Sequence, residues 1–232
     1  MIYVMSDIHG EYGKFQEMLA KINFSDEDTL YVLGDVVDRG PEPIRLLVDM
    51  SARENVILLK GNHELMALNV LRKLNVEITK ENADTHLDND TLHALMDWYR
   101  NGGRITLQGF KQLPGEMRED LLDYLEDTAP YEIVEANGKT YLLVHAGLGN
   151  FLPGKKLEDY SLGELLFMRP DYQRQYFQNP DMYMVCGHTP TRFVTGKDEI
   201  YHSANNLLID CGAAYGGRLA CLCLDTMQEF YV

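Results

Sequence analysis

Two observations predict an α/β fold. Short apolar runs of strand length recur along the chain, most of them bounded by glycine, and stretches with helical apolar spacing fill the gaps between them. A third sharpens the prediction: six of these runs are followed at once by polar residues of ligand type. In open α/β sheets ligands bind beyond the carboxyl ends of strands, so six strand ends are expected to converge on one face. At 232 residues the chain is long for one average domain and short for two with separate cores. A single domain over 1–232 is therefore the expectation.

The first run, residues 2–5, leads into Asp7, Ile8, His9 and Gly10. Residues 11–22 then place Phe15, Met18, Leu19 and Ile22 on one stripe, the spacing of a helix packed on a sheet. The run 30–33 opens onto Gly34-Asp35-Val36-Val37-Asp38-Arg39-Gly40. Two carboxylates and an arginine in a glycine-bounded loop are poor material for a core and good material for a site. Pro41 is expected to begin a helix carrying Ile44, Leu47 and Val48 inward, because proline is favoured at the first helical position.

Residues 56–59 lead to Gly61-Asn62-His63-Glu64, with a helix expected over 64–74. The polar stretch 76–90 reads as an insertion, followed by helices over 91–100 and 116–126. Residues 141–144 precede His145-Ala146-Gly147, and Ser161 with Glu164 has capping-box spacing. Residues 182–185 precede Gly187-His188-Thr189, and 207–209 precede Asp210-Cys211-Gly212. A hairpin over 219–224 and 229–232 closes the chain.

Composition narrows the function classes. The formal charge of −15 and pI near 4.8 repel polyanions, and no Lys/Arg cluster reverses the field, so a nucleic-acid polymer is not an expected partner. No run approaches the ~20 apolar residues of a membrane span, and the first residues lack the basic and apolar pattern of a signal peptide. A cytoplasmic protein with no membrane partner is expected. Cys186, Cys211, Cys221 and Cys223 lie in apolar runs without Cys-x-x-Cys spacing, as buried thiols do.

Asp7-x-His9, Gly34-Asp35-x-x-Asp38-Arg39-Gly40, Gly61-Asn62-His63-Glu64, His145-Ala146-Gly147 and Gly187-His188-Thr189, in this order, resemble the signature of the calcineurin-like metallophosphoesterases. The Asp-Arg-Gly ending is similar to the phosphoprotein phosphatase branch in its compact bacterial and phage form. The resemblance implies a β-sandwich flanked by helices, with a dinuclear metal site at the strand C-terminal ends. Strand and helix alternation alone would equally fit one open sheet.

Carried over residue by residue, the resemblance implies one metal on Asp7, His9 and Asp35, and a second on Asp35, Asn62, His145 and His188. It further implies a metal-bridging hydroxide for in-line attack, His63 as general acid paired with Asp38, and phosphate binding by Arg39, Asn62 and Arg169. Arg174 stays open as the alternative to Arg169. A mixed imidazole, carboxylate and amide set suits manganese, iron or zinc better than calcium, with manganese the first expectation.

His86 and His93, which share a helix spacing, and His202 are read as structural or solvated. Tyr215 is a candidate rim residue, and the acidic run 119–127 is a solvated helix face. The implied activity is hydrolysis of phosphate monoesters, first on phosphoserine or phosphothreonine in proteins. The alternative is symmetrical cleavage of diadenosine tetraphosphate, and an inactive phosphopeptide-binding scaffold is the third reading. The stretch 76–104 stays unassigned between protein and nucleotide recognition.

Overall fold

The computed structural model describes residues 1–76, 79–80, 82 and 88–232. His86 and most of the insertion expected at 76–90 lie outside the described residues. In chain order the first elements are β1 (Ile2–Met5), α1 (Tyr12–Lys21), β2 (Thr29–Val32), α2 (Pro43–Ser51), β3 (Val56–Leu58) and α3 (Asn62–Leu74). They are followed by α4 (Asn89–Arg100), α5 (Arg104–Phe110), α6 (Gly115–Glu126), β4 (Tyr131–Ala136), β5 (Lys139–Val144) and α7 (Leu162–Leu166). The chain closes with β6 (Met182–Cys186), α8 (Arg192–Thr195), β7 (Tyr201–Ser203), β8 (Asn206–Leu208), β9 (Ala220–Cys223) and β10 (Glu229–Tyr231).

The strands form two five-stranded sheets, β10-β9-β1-β2-β3 and β4-β5-β6-β8-β7, so the sandwich is adopted rather than one open sheet. Each sheet contains three adjacent parallel strands, β1-β2-β3 in one, with β3 at its edge, and β5-β6-β8 in the middle of the other. Antiparallel partners extend them, β9 and β10 beyond β1 in the first, β4 and β7 at the two edges of the second. Alternation along the strands builds the layers, because successive side chains leave opposite faces. Val4, Leu33, Tyr141, Leu143, Val185 and Leu222 fill the space between the sheets. Tyr3, Met5 and Val32 turn outward to Phe15, Met18, Leu47 and Leu122 on the helices. Leu142, Val144 and Met184 turn the other way, onto Leu165, Leu166, Tyr172 and Tyr176.

Several boundaries differ from expectation. The second helix starts at Pro43 and not at Pro41, with Pro43 in its first turn. The Glu42 N–H is spent on the Gly10 carbonyl (3.0 Å), tying that turn to the loop after β1. Helix α3 starts two residues earlier than expected, at Asn62, which puts Asn62 and His63 in its first turn. Gly102 and Gly103 end α4 as expected, but α5 follows directly and had no sequence signal. Strand β4 is an edge strand that buries only Val134 and Ala136, too few for a readable apolar run. The Ser161–Glu164 capping box is present, and all four cysteines are buried and free. No described helix is long and apolar enough to cross a membrane.

Candidate functional site

The loops after the parallel strands carry the site, and their backbones are held in an unusual conformation. Asp7, His9, Asp35, Asp38, Arg39 and His188 all have φ between 46° and 71°, a region that costs a non-glycine residue roughly 1–2 kcal/mol. Cross-loop hydrogen bonds hold it: the N–H groups of Asp7, His9 and Gly10 donate to the carbonyls of Gly34, Asp35 and Val36 at 3.1, 2.9 and 2.8 Å. Glycine permits the closest approach of the loops. A Cβ on Gly61 would lie 2.4 Å from Asp35 Oδ1, and one on Gly187 would lie 2.1 Å from Asp7 Oδ2.

Asp35 stands at the junction of two donor groups, His9–Asp35–His63 and Asp35–His145–His188. Its Oδ2 is 3.5 Å from His9 Nε2, and its Oδ1 is 3.4 Å from His145 Nε2. His9 Nδ1–H donates to the Val37 carbonyl (2.8 Å) and His145 Nδ1–H to that of Leu33 (2.7 Å). Such carbonyl contacts fix the tautomer and turn each bare Nε2 into the site. His145 Nε2 then faces Asn62 Oδ1 at 2.9 Å, lone pair against lone pair, and His188 Nδ1 lies 2.9 Å from the same oxygen. This donor arrangement fits a cation. Asp7 is placed slightly apart: its Oδ2 accepts from the His188 N–H (2.8 Å) and the Ser6 hydroxyl, outside both donor groups.

The electrostatics point the same way. Burial, then the charge of Asp7, holds the carboxyls of Asp35 and Asp210 well above the usual range. Burial lowers His9 well below the usual range and His188 to about 3, neighbouring imidazoles adding to it. Buried acids and buried bases in one place each disfavour their charged forms. Divalent cations invert the balance for the acids and select neutral imidazole, the ligand forms of both.

His63, itself a member of the first donor group, also turns Nδ1 to Asp38 Oδ2 at 2.6 Å, and both residues are buried. Loss of solvation pushes Asp38 up to about 7, against donors on Thr106 and Trp98, and pushes His63 down to about 2, helped by the charge of Arg39. The Arg39 guanidinium reaches His63 Nε2 at 2.8 Å and also touches His9 Nε2. It lies over the Tyr215 ring, 5.1 Å from the centroid. A cleft of about 140 Å³ is lined by Asp35, Arg39, Asn62, His63, Arg169 and His188, with Asn101, Pro190, Phe193, Asp210 and Tyr215 completing it. Arg169 Nε donates to Thr189 Oγ1 at 3.1 Å. Arg174 instead lies over the Phe151 ring, so Arg169 is the arginine that faces the cleft. His202 pairs with Glu229, and His93 is exposed, both away from the cleft lining.

Trp98 and Thr106 were not singled out from sequence, and Glu64 and Asp210 were named there only as members of strand-end motifs, with no role given. Glu64 is fully buried and accepts from the backbone N–H groups of Asp35 (2.6 Å), Val36 (2.8 Å), Val37 (3.3 Å) and Gly61 (3.0 Å). It is thus the residue that holds the Asp35 loop in place. Its signal was visible as the fourth member of Gly61-Asn62-His63-Glu64, where it reads as an ordinary helix-start glutamate. Glu64→Ala leaves these donors without partners, and urea denaturation should show a loss of roughly 3 kcal/mol or more, given about 1–3 kcal/mol for each buried donor left unsatisfied.

A family model described as calcineurin-like phosphoesterase matches residues 1–217. Among curated proteins, "Bis(5'-nucleosyl)-tetraphosphatase, symmetrical" of Erwinia tasmaniensis is 34% identical over 48% of this chain and 41% of its own length. The protein of the same name from Proteus mirabilis is 31% identical over 98% of this chain and 96% of its own. Among solved structures, a candidate diadenosine tetraphosphatase matches with a TM-score of 0.68 at 19% identity, over all of this chain and 92% of the other.

Proposed function

This chain belongs to the calcineurin-like phosphoesterase family, and on that premise we propose that it is a two-metal hydrolase cleaving dinucleoside tetraphosphates symmetrically. The observation that carries the substrate class is the alignment with the Proteus mirabilis protein along nearly the whole of both chains. The protein-phosphatase expectation rested on Asp38-Arg39-Gly40, which builds an acid pair and a phosphate-gripping arginine that either substrate would use. It gives way to the reading supported over the full length.

As the family resemblance implies, one cation would be held by Asp7, His9 and Asp35, with Asp7 needing to turn in from its place outside the first donor group, and the other by Asp35, Asn62, His145 and His188. When bound, the pair supplies Lewis acidity toward phosphoryl oxygens and activation of the attacking water. Arg39 and Arg169 face the same cleft and bind the phosphoryl oxygens, the planar guanidinium matching them bidentately. Asp38 holds the His63 Nδ1–H, which leaves Nε2, here met by Arg39 at 2.8 Å, as the nitrogen that, once protonated and released by Arg39, would serve the leaving oxygen. Manganese remains the first choice of metal from the mixed donor set.

A cleft of about 140 Å³ takes phosphoryl groups but not a nucleoside. The rest of a dinucleotide must lie at the mouth, where Phe193 is 75% exposed and Tyr215 52%. Aromatic faces of this kind are stacking platforms for nucleobases. With the manganese-loaded protein, diadenosine tetraphosphate should be turned over with a higher kcat/KM than a phosphoserine peptide and yield ADP alone. Phe193→Ala should raise the dinucleotide KM by about tenfold, in line with roughly 1–3 kcal/mol for one stacked base, and leave p-nitrophenyl phosphate unaffected. Faster turnover of the peptide, or AMP and ATP as products, would overturn the substrate assignment.

A further inference from the structure

We propose that Trp98 and Thr106, from the helices that follow the 76–90 stretch, are positioning residues that set the Asp38–His63 pair for proton delivery. The inference rests on the phosphoester-hydrolase reading, and within it gives part of the unassigned segment 76–104 a task in catalysis.

Among the described residues, both oxygens of the Asp38 carboxylate have hydrogen-bond partners. Oδ2 accepts from His63 Nδ1–H at 2.6 Å and from the Trp98 indole N–H at 2.8 Å. Oδ1 accepts from the Thr106 hydroxyl at 2.6 Å. The same hydroxyl oxygen accepts the backbone N–H of Asp38 at 2.9 Å, so its rotor is fixed by giving and receiving at one residue. Trp98, Thr106 and Asp38 are 0%, 1% and 0% exposed, and hydrogen bonds in such a dry setting are stronger and more directional than in water.

The arrangement is also built sterically. A Cβ on Gly103 would fall 2.3 Å from the Trp98 ring, so the turn between α4 and α5 lies flat against the indole. The Gly102 carbonyl accepts the Arg39 N–H at 3.3 Å, which joins that turn to the Asp38-Arg39 backbone. Asp38 itself sits at φ 71°, a strained conformation that survives only where the surroundings over-determine it.

A carboxylate with two lone-pair sites per oxygen holds an imidazole most firmly when its rotamer has no freedom. Trp98 and Thr106 remove that freedom, one clamping each oxygen. In hydrolysis of a phosphate monoester, water adds to phosphorus, the bond from phosphorus to the ester oxygen breaks, and the departing oxygen takes a proton from the His63 imidazolium at Nε2 while the proton released by the attacking water restores it, giving an alcohol and inorganic phosphate. This requires Arg39, which meets Nε2 at 2.8 Å, to turn from that nitrogen to the phosphoryl oxygens. Misplacement of the imidazole therefore slows esters with basic leaving groups and barely affects those whose leaving group departs as a stable anion. A general loss of packing would slow both alike.

The test uses the full-length, manganese-loaded protein with ethyl phosphate and p-nitrophenyl phosphate. Trp98→Phe and Thr106→Val should each lower kcat on ethyl phosphate by about tenfold, the scale of one hydrogen bond to a charged group. On p-nitrophenyl phosphate the loss should stay under about threefold, with KM and metal content unchanged. Thr106→Ser, which keeps the hydroxyl, should restore the ethyl phosphate rate. In a His63→Asn background Trp98→Phe should cause no further loss, because a positioning residue has nothing left to position.

Equal losses on both substrates, no loss on either, or a Trp98→Phe effect that persists without His63 would overturn the proposal. Should Trp98→Phe fail to fold, the Thr106 pair decides by itself. His63→Asn measured alone separates the premises: if it shows no dependence on the leaving group, the acid role of His63 falls, and the positioning role falls with it.

Discussion

In Asp35→Asn, turnover of every phosphate ester falls by about 10³-fold or more, and bound divalent metal falls with it. Asp35 is the carboxylate at the meeting point of both donor groups, one oxygen toward His9 and the other toward His145. An amide offers one neutral oxygen where two anionic ones stood, so under the proposed two-metal arrangement neither cation would keep its full ligand set. Lewis-acid stabilisation is worth several kcal/mol, and each ~1.4 kcal/mol is tenfold in rate. Metal analysis of the purified variant beside wild type, with kcat on p-nitrophenyl phosphate in added manganese, provides the check. Retained metal with full loss of rate would move Asp35 out of the shared-ligand role. The fold should survive, because the loop is held through its backbone N–H groups by Glu64.

His63→Asn should show the opposite separation, metal retained and rate lost in proportion to leaving-group basicity. General acid catalysis contributes about 10²–10⁴-fold, so ethyl phosphate should lose within that range and p-nitrophenyl phosphate much less. A dinucleoside tetraphosphate cleaved symmetrically expels a nucleoside diphosphate, far less basic than an alkoxide. Its turnover should suffer less than that of ethyl phosphate. One variant thus reports on both the acid and the class of bond the enzyme serves. Equal losses on all three substrates with metal in place would remove His63 from proton transfer.

The convergence of strand ends was legible because its carriers are local. Asp7, Asp35, Asn62, His145 and His188 each follow a short apolar run within a few residues, and the parallel strands deliver them to one face. What was not legible acts across long separations. Trp98 and Thr106 reach Asp38 from 60 and 68 positions away, and nothing in an amphipathic helix marks one buried indole as a hydrogen-bond donor to a distant carboxylate. Glu64 was hidden by conformity, since its position suits a helix start whatever it binds. The choice between phosphopeptide and dinucleotide was illegible for another reason. The shared motifs build the phosphoryl machinery, whereas the cleft rim that would meet the rest of the substrate includes residues such as Phe193, in a four-residue helix with no apolar pattern. Arg169 and Arg174 stand five apart in one irregular segment, and only tertiary packing turned one to the cleft and the other onto Phe151.

Trp98 is the chain's only tryptophan. Its indole lies one hydrogen bond from Asp38 and, through that carboxylate, two from the imidazole of His63. The protein therefore carries an optical probe beside its candidate acid pair, free of the overlapping emission that several tryptophans would give. Light absorbed there is re-emitted from a dry, fixed environment whose polarity is set by the carboxylate it faces. Whatever changes the charge or orientation of the pair is recorded in the colour and yield of that emission, so occupancy of the centre can be followed in the unlabelled enzyme.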